Sequence, residues 1–252
     1  MSTDPLISVV VPFFNSERHI AACVESLLSQ EDVGGIFEVI LIDNGSQDDS
    51  ASLVKPYGDL ILLKEEKPGA YAARNTGIRR ARAPLIALTD ADCVVDRHWL
   101  RSIREGMEDS ATGILLGHCR YHPQASWPLL LLGIYENAKT RYVVERCGSA
   151  NHFAYANNMA VRTSVFEEIG LFKEWKRAAD SELVHRLASK RPDLKLNFFP
   201  SMGVTHLEFL SARDRTRRLS LYTHTNSKIE TFRELSFGQR LGLAGHLLGN
   251  LF

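Results

Sequence analysis

ISVVVPFF, residues 7–14, passes from one β-branched or aromatic side chain to the next with almost no polar positions between them. A strand with one wet face would carry a polar residue at every second place. This one is expected to be buried on both faces, as strands are in a parallel sheet covered by helices. The same pattern continues outward. Ile20, Cys23, Val24, Leu27 and Leu28 recur at helical spacing behind Asn15 and Ser16, which are expected to cap that helix. EVILID (38–43) is a second strand, and SQDD (46–49) is expected to start the next helix at Ser46. LILLKEE (60–66) is a third strand, and GAYAARNTGIRRARA (69–83) is a helix stopped by Pro84. PLIALTD (84–90) is a fourth strand, and RHWLRSIREGM (97–107) is a helix capped by Asp96.

Strands alternating with helices imply βαβ units, hence an α/β fold with a mostly parallel central sheet flanked by helices. Right-handed crossovers point the carboxyl ends of such strands the same way. Pro12, Asp43 and Asp90 should therefore meet along one sheet edge, where open α/β sheets bind ligands. The second half is less regular. ILLGHCRY (114–121) and AYANNMAV (154–161) read as strands, LLLLGIYENAKTRYVVE (129–145) as a helix, and SELVHRLASK (181–190) as a helix begun by Asp180. KLNFF (195–199) and GVTHL (203–207) read as two late strands. With no repeat and no low-complexity linker, residues 1–210 are expected to form one domain. Residues 211–252 are expected to form a helical extension, Arg-rich at first, whose face of Leu241, Ala244, Leu248 and Leu251 would pack on the body or on a membrane surface.

Among the 252 residues, 30 basic and 30 acidic side chains cancel without long blocks of either sign, which argues against nucleic acid as a partner. Four cysteines lie far apart with no CxxC pair, which fits a reducing compartment and argues against a structural zinc cluster; each reads as buried filler. The amino terminus lacks a basic region, and its apolar run is broken by Pro12, against a secretory signal. The run from Trp127 is shorter than the ~20 residues of a membrane span. A cytoplasmic protein is expected, with peripheral contact on the inner face of a membrane left open by the tail.

In LTDADCVVD (88–96), Asp90 and Asp92 stand one residue apart, and on extended backbone they would point to the same side. Two such charges repel unless a hard divalent cation lies between them. Taken alone, the pair is better explained as a solvated turn.

The ordered set VVVPFFN, LIDNGSQDDS, KPGAYAARNTGI, LTDAD, ANNMAVRTSVFEEIGLF, AADSELVHRL and GVTHL resembles the inverting family 2 glycosyltransferases, which have the GT-A fold. The likeness spans residues 7 to about 207. It implies a UDP- or GDP-linked sugar donor, a divalent cation such as Mn2+ or Mg2+, and a hydroxyl acceptor glycosylated with inversion. The setting it suggests is synthesis of cell-envelope polysaccharide, glycolipid or exopolysaccharide. By the same resemblance, Pro12, Phe14, Asn15 and Glu17 bound the nucleoside, and Asp43 reads its base or ribose, left free because Ser46 caps the helix. Gly69 lets backbone approach the donor, and Arg74 pairs with a carboxylate or phosphate. Asp92 is implied as metal ligand, Asp90 as ligand or ribose contact, and His206 as the residue completing the metal shell.

Direct displacement needs a base on the face opposite the leaving group. Asp180 takes that place, although the Glu that usually precedes it is Ala179 here, which leaves Glu182 as a second candidate. Asn157 and Asn158 fall on the acceptor side, and Trp175 is placed to stack on a sugar. A lipid-linked or polysaccharide acceptor is suggested by the apolar tail and by Arg213, Arg215, Arg217 and Arg218. Two alternatives stand beside this reading: a nucleotide-sugar-binding scaffold without turnover, kept in view by Ala179, and a sugar-phosphate nucleotidyltransferase, against which no Gly-rich phosphate loop follows the first strand.

Overall fold

The computed structural model describes residues 4–211. The carboxy-terminal extension, its apolar face and the arginines from Arg213 to Arg218 lie outside the described residues. Within them the chain runs β1 (Ile7–Phe13), α1 (Ile20–Leu28), β2 (Phe37–Asp43), α2 (Ser50–Val54), β3 (Leu60–Lys64), α3 (Ala70–Arg80), β4 (Leu85–Thr89), β5 (Cys93–Val95) and α4 (Trp99–Gly106). It continues through β6 (Thr112–Tyr121), α5 (Trp127–Arg146), β7 (Asn158–Arg162), α6 (Thr163–Ile169), α7 (Ala179–Lys190) and β8 (Lys195–His206).

One sheet carries all of these strands in the order β3-β2-β1-β4-β7-β6-β8-β5. The β3-β2-β1-β4 half is parallel, β7 runs antiparallel to both β4 and β6, β6 and β8 are parallel, and β5 closes the edge antiparallel to β8. The unbroken apolar strands are explained by a core on each side. Val9 and Val11 of β1, Val39 and Leu41 of β2, and Ala87 of β4 pack with α1 and α4. Their sequence neighbours Val10, Ile40, Ile42, Ile86 and Leu88 pack with α3, α6 and α7. Gly77 lets α3 lie close against the sheet: a Cβ there would meet Val10 at 2.5 Å and Ile42 at 2.6 Å.

Several local expectations are corrected. Neither Asn15 nor Ser16 caps α1 through its side chain. Asn15 has a left-handed φ of 48°, its Oδ1 accepts from the Gln47 amide at 2.8 Å, and the Ser16 hydroxyl turns back to the Phe14 carbonyl. These groups tie the β1–α1 loop to the β2–α2 loop, so the sheet edge claims them before the helix does. The helix after β2 starts at Ser50, not Ser46, and the Ser46 amide donates to Asp43 Oδ1 at 2.8 Å. Asp43 is therefore held in its own turn and not left free. Asp96 supports the start of α4 only with its backbone carbonyl, because its carboxylate is paired with Arg120. KLNFF and GVTHL merge into the single strand β8, whose pairing with β6 is shifted between Gly117 and His118. Asp180 lies inside the first turn of α7 rather than capping it; Ala178, in left-handed geometry, takes the cap position.

Candidate active site

β1, β2 and β4 all end on one sheet edge, and two clefts open there. The larger, about 690 Å3, is lined by Pro12, Phe14, Asn15, Glu17, Arg74, Asp90 and Asp92, together with Asp48 and Glu208. Phe14 is 57% exposed over this cleft and takes no part in the core. The smaller, about 270 Å3, is lined by Tyr71, Arg74, Asp90, Asn157, Asp180 and His206, by Glu136, Asn137 and Thr140 of α5, and by Tyr155, Lys176, Arg177 and Phe209.

Arg74 and Asp90 belong to both clefts. Arg74 projects from α3, is only 4% exposed, and its guanidinium forms an ion pair with Asp90. Burial works against its charge, but Asp90, then Tyr71 and Asp180, outweigh that and hold its pKa above the ordinary arginine value. Its Nε is buried without a hydrogen-bond partner among the described residues. A buried donor in that condition is costly unless a ligand supplies the acceptor.

Asp90 and Asp92 do not share a side. The Cys93 amide donates to the Asp90 carbonyl at 3.0 Å, so Asp90-Ala91-Asp92 forms a turn and not an extended segment. The turn sends Asp90 to Arg74 and Asp92 to His206, whose Nε2 lies 3.5 Å from Asp92 Oδ2. The Leu207 amide donates to the Asp92 carbonyl at 2.8 Å, fastening the turn to the end of β8. The His206 ring stacks on Phe209 with centroids 4.6 Å apart. Cys93 stands beside them, and one ligand atom each from Asp92, Cys93 and His206 lie within 4.8 Å of one another.

Asp180 lines the smaller cleft and is 7% exposed. Its Oδ2 accepts from the Ala156 amide at 3.1 Å, and its Oδ1 from its neighbour Ser181 at 2.9 Å. Burial pushes its carboxyl pKa up, against the opposing pull of these amides, of Arg74 and of a hydrogen bond from Tyr71. With three hydrogen bonds accepted, the carboxylate keeps one lone-pair site for a substrate hydroxyl.

Other expected residues are placed elsewhere. Asp43, 6% exposed, lies beneath its turn and lines neither cleft. Gly69 caps α3 with φ 130°, its amide donating to Asn44 Oδ1 at 2.7 Å; the residue that reaches the clefts is Ala70. Asn158 touches the smaller cleft but is committed structurally. Its Oδ1 accepts from Trp99 Nε1 at 2.9 Å, and its Nδ2 donates to the His118 and Met202 carbonyls at 3.0 and 2.8 Å. Asn157 is available to the cleft: its buried Oδ1 has no hydrogen-bond partner among the described residues. Trp175 lines neither cleft. Glu182 grips Arg186 through both carboxylate oxygens, at 2.9 and 2.8 Å, while Arg186 also holds the carbonyls of Gly170 and Leu171 after α6. That ion pair removes Glu182 from consideration as the base.

Sequence reading missed Tyr71, Glu136, Asn137, Thr140, Lys176, Arg177 and Phe209. Tyr71 lies three residues before Arg74, one helical turn away, and that spacing was the available signal. The α5 residues gave none, because polar and apolar side chains are mixed along that helix without a clear face.

Residues 8–170 match the sequence family described as Glycosyl transferase family 2. Glycosyltransferase AglE of Haloferax volcanii is 28% identical over 177 residues, which are 68% of this chain and 57% of that protein. The TarS 1–349 structure from S. aureus in complex with UDP superposes with a TM-score of 0.63 at 18% identity, over 80% of this chain and 60% of that one. The mannosyltransferase PcManGT from Pyrobaculum calidifontis, in complex with GDP-Man and Mn2+, superposes with a TM-score of 0.61 at 21% identity, over 81% and 57%. The chain thus spans little more than half the length of these relatives. The curled central sheet and these neighbours identify the fold as GT-A.

Proposed function

The chain belongs to glycosyl transferase family 2, and on that premise we propose that it moves a sugar from a UDP- or GDP-linked donor to a hydroxyl acceptor with inversion. The observation that carries this reading is the meeting of the two clefts at Arg74 and Asp90, with Asp180 in one and Asp92 in the other. The larger cleft takes the nucleotide, with Phe14 exposed to stack on the base and Asn15 and Glu17 on the rim.

A divalent cation fits the donor set at the boundary. Asp92 Oδ2 and His206 Nε2, 3.5 Å apart, are spaced so that one ion reaches both at about 2.1 Å. When bound, such an ion supplies Lewis-acid neutralisation of the departing diphosphate. Arg74, with its unsatisfied Nε, donates to the same diphosphate, and Asp90 holds the guanidinium in place. Asp180 takes the acceptor's proton as the acceptor oxygen bonds to the anomeric carbon and the diphosphate leaves from the other face with the bonding electrons. Ala179, where the family more often has Glu, is fully buried in the core, so the side chain at that position does not enter the cleft.

We infer a lipid-linked or polysaccharide acceptor. One side of α5 lines the smaller cleft, while Trp127, Leu131, Ile134 and Tyr142 on the opposite side are 73%, 55%, 66% and 63% exposed. An apolar stripe ending in Trp suits a lipid interface. Among the described residues no helix is long and apolar enough to cross a membrane. In vesicle flotation, Trp127→Ser combined with Ile134→Ser is expected to weaken binding; equal flotation of variant and wild type removes the stripe from the reading.

The function itself is tested by thermal shift with a panel of UDP- and GDP-sugars, with and without Mn2+. A matching donor is expected to raise the melting temperature only when the cation is present, and Asp92→Ala is expected to abolish that increment. A full increment in the Ala variant would rule out the proposed cation site, and pyrophosphate release from a nucleoside triphosphate would favour the nucleotidyltransferase.

A further inference from the structure

Cys93 follows the aspartate pair directly and heads β5, where it is the register partner of His206. It is fully buried, and its thiol points to Asp92 Oδ1 at 3.7 Å. Two carboxylates and a histidine would suffice for a hard cation, but here a sulfur stands where a third ligand would stand. Ligand atoms around a tetrahedral ion bound at about 2.0–2.3 Å are separated by roughly 3.3–3.8 Å. The separations of 3.5 Å from Asp92 Oδ2 to His206 Nε2 and of 3.7 Å from Asp92 Oδ1 to Cys93 Sγ fall in this range, one from each carboxylate oxygen. The three residues also offer one ligand atom each within 4.8 Å of one another.

We propose that Cys93 is a third ligand at the Asp92–His206 site, which therefore prefers sulfur-tolerant ions such as Zn2+, Co2+ and Cd2+ to Mg2+. This rests on Asp92 and His206 being the cation site of the proposed function. Thiolate selects soft and borderline ions, whereas hard ions gain little from it and keep to the oxygen and nitrogen ligands. On binding, the metal–sulfur bond forms as the S–H bond breaks; the proton leaves to solvent and no electron is transferred. Cys119 is the internal control. It is only partly buried, and its sulfur accepts from the Asn157 amide at 3.6 Å.

The experiment is a Co2+ titration of the full chain without donor, followed by absorption spectroscopy and by competition with Zn2+ and Mg2+. The expected result is a near-ultraviolet thiolate-to-cobalt charge-transfer band, absent in Cys93→Ser and retained in Cys119→Ser, with Zn2+ displacing cobalt far more readily than Mg2+. The serine change should weaken Zn2+ by at least the roughly 10–100-fold that loss of an outer-shell partner costs. Cobalt bound without that band, or a band that survives Cys93→Ser, overturns the ligand role and leaves the cation site intact. If neither Co2+, Zn2+ nor Mn2+ binds, with or without UDP or GDP, both readings fall. Should Cys93→Ser not fold, zinc-edge X-ray absorption on the wild type decides: a sulfur at about 2.3 Å supports the proposal, and a shell of only nitrogen and oxygen overturns it.

Discussion

Asp180→Asn is expected to lower kcat by roughly 10²–10⁴-fold, the usual contribution of a positioned general base, while cation-dependent donor binding survives. The substitution is close to isosteric, and Asp180 sits in the smaller cleft, away from the nucleotide rim. Burial raises its pKa, so the acid limb of the wild-type pH profile should lie above the ordinary aspartate value of about 3.9. The same shift bears on stability. A carboxyl whose folded pKa is raised favours the fold when protonated, and that contribution is lost as pH rises through the folded value. Wild type should lose melting temperature relative to the Asn variant between about pH 4 and neutrality. Parallel melting curves across that window would show that Asp180 is not strained by burial, and near-normal turnover in the variant would end its assignment as the base.

Arg74→Met carries the largest expected cost in stability. The guanidinium is buried and faces Asp90 and Asp180 together, so its loss leaves two carboxylates without their cation. Breaking one partner of a buried pair costs roughly 3–5 kcal/mol. The lower end applies, because the Asp90 side chain keeps 32% of its surface in water. For a domain of this size about 3 kcal/mol lowers the melting temperature by roughly 6–12 °C. The deficit should shrink toward acid pH: the pKa of Asp180, already raised by burial, rises further without Arg74, and protonating it relieves the repulsion. Arg74→Lys should fall between, because it returns the charge without the planar fork. Donor binding is expected to fail in the Met variant even where the protein is folded. A Met variant that melts within about a degree of wild type would contradict the ion pair as a structural element.

The first half of the fold was legible because its strands are apolar at every position and its helices keep a 3.6-residue period. Both signals are local and follow from burial on two faces. Helix caps were misread because Asn15, Ser16, Ser46 and Asp96 are attractive caps in isolation, yet their side chains are engaged elsewhere: Asn15 with the Gln47 amide, Ser16 with the Phe14 carbonyl, Ser46 with the Asn15 amide and Asp96 with Arg120. At the site, Asp92, His206, Arg74 and Asp180 were nameable from the ordered motifs, and the structure brings them to the two joined clefts. Trp175 and Glu182 were named from proximity in sequence alone, and Arg186 shows why proximity was insufficient.

By itself, the chain determined the strands and helices of the parallel half and which acids stand at its strand ends. Only the tertiary structure decided how those acids are shared. The Asp90–Cys93 turn sends one aspartate to Arg74 and the next to His206, some 114 residues further along the chain, and α5 closes the second cleft from above. The reason is physical. Hydrophobic periodicity is written into neighbouring residues, whereas the partner of a charged side chain is set by how distant strands align, and that alignment has no local trace in the sequence.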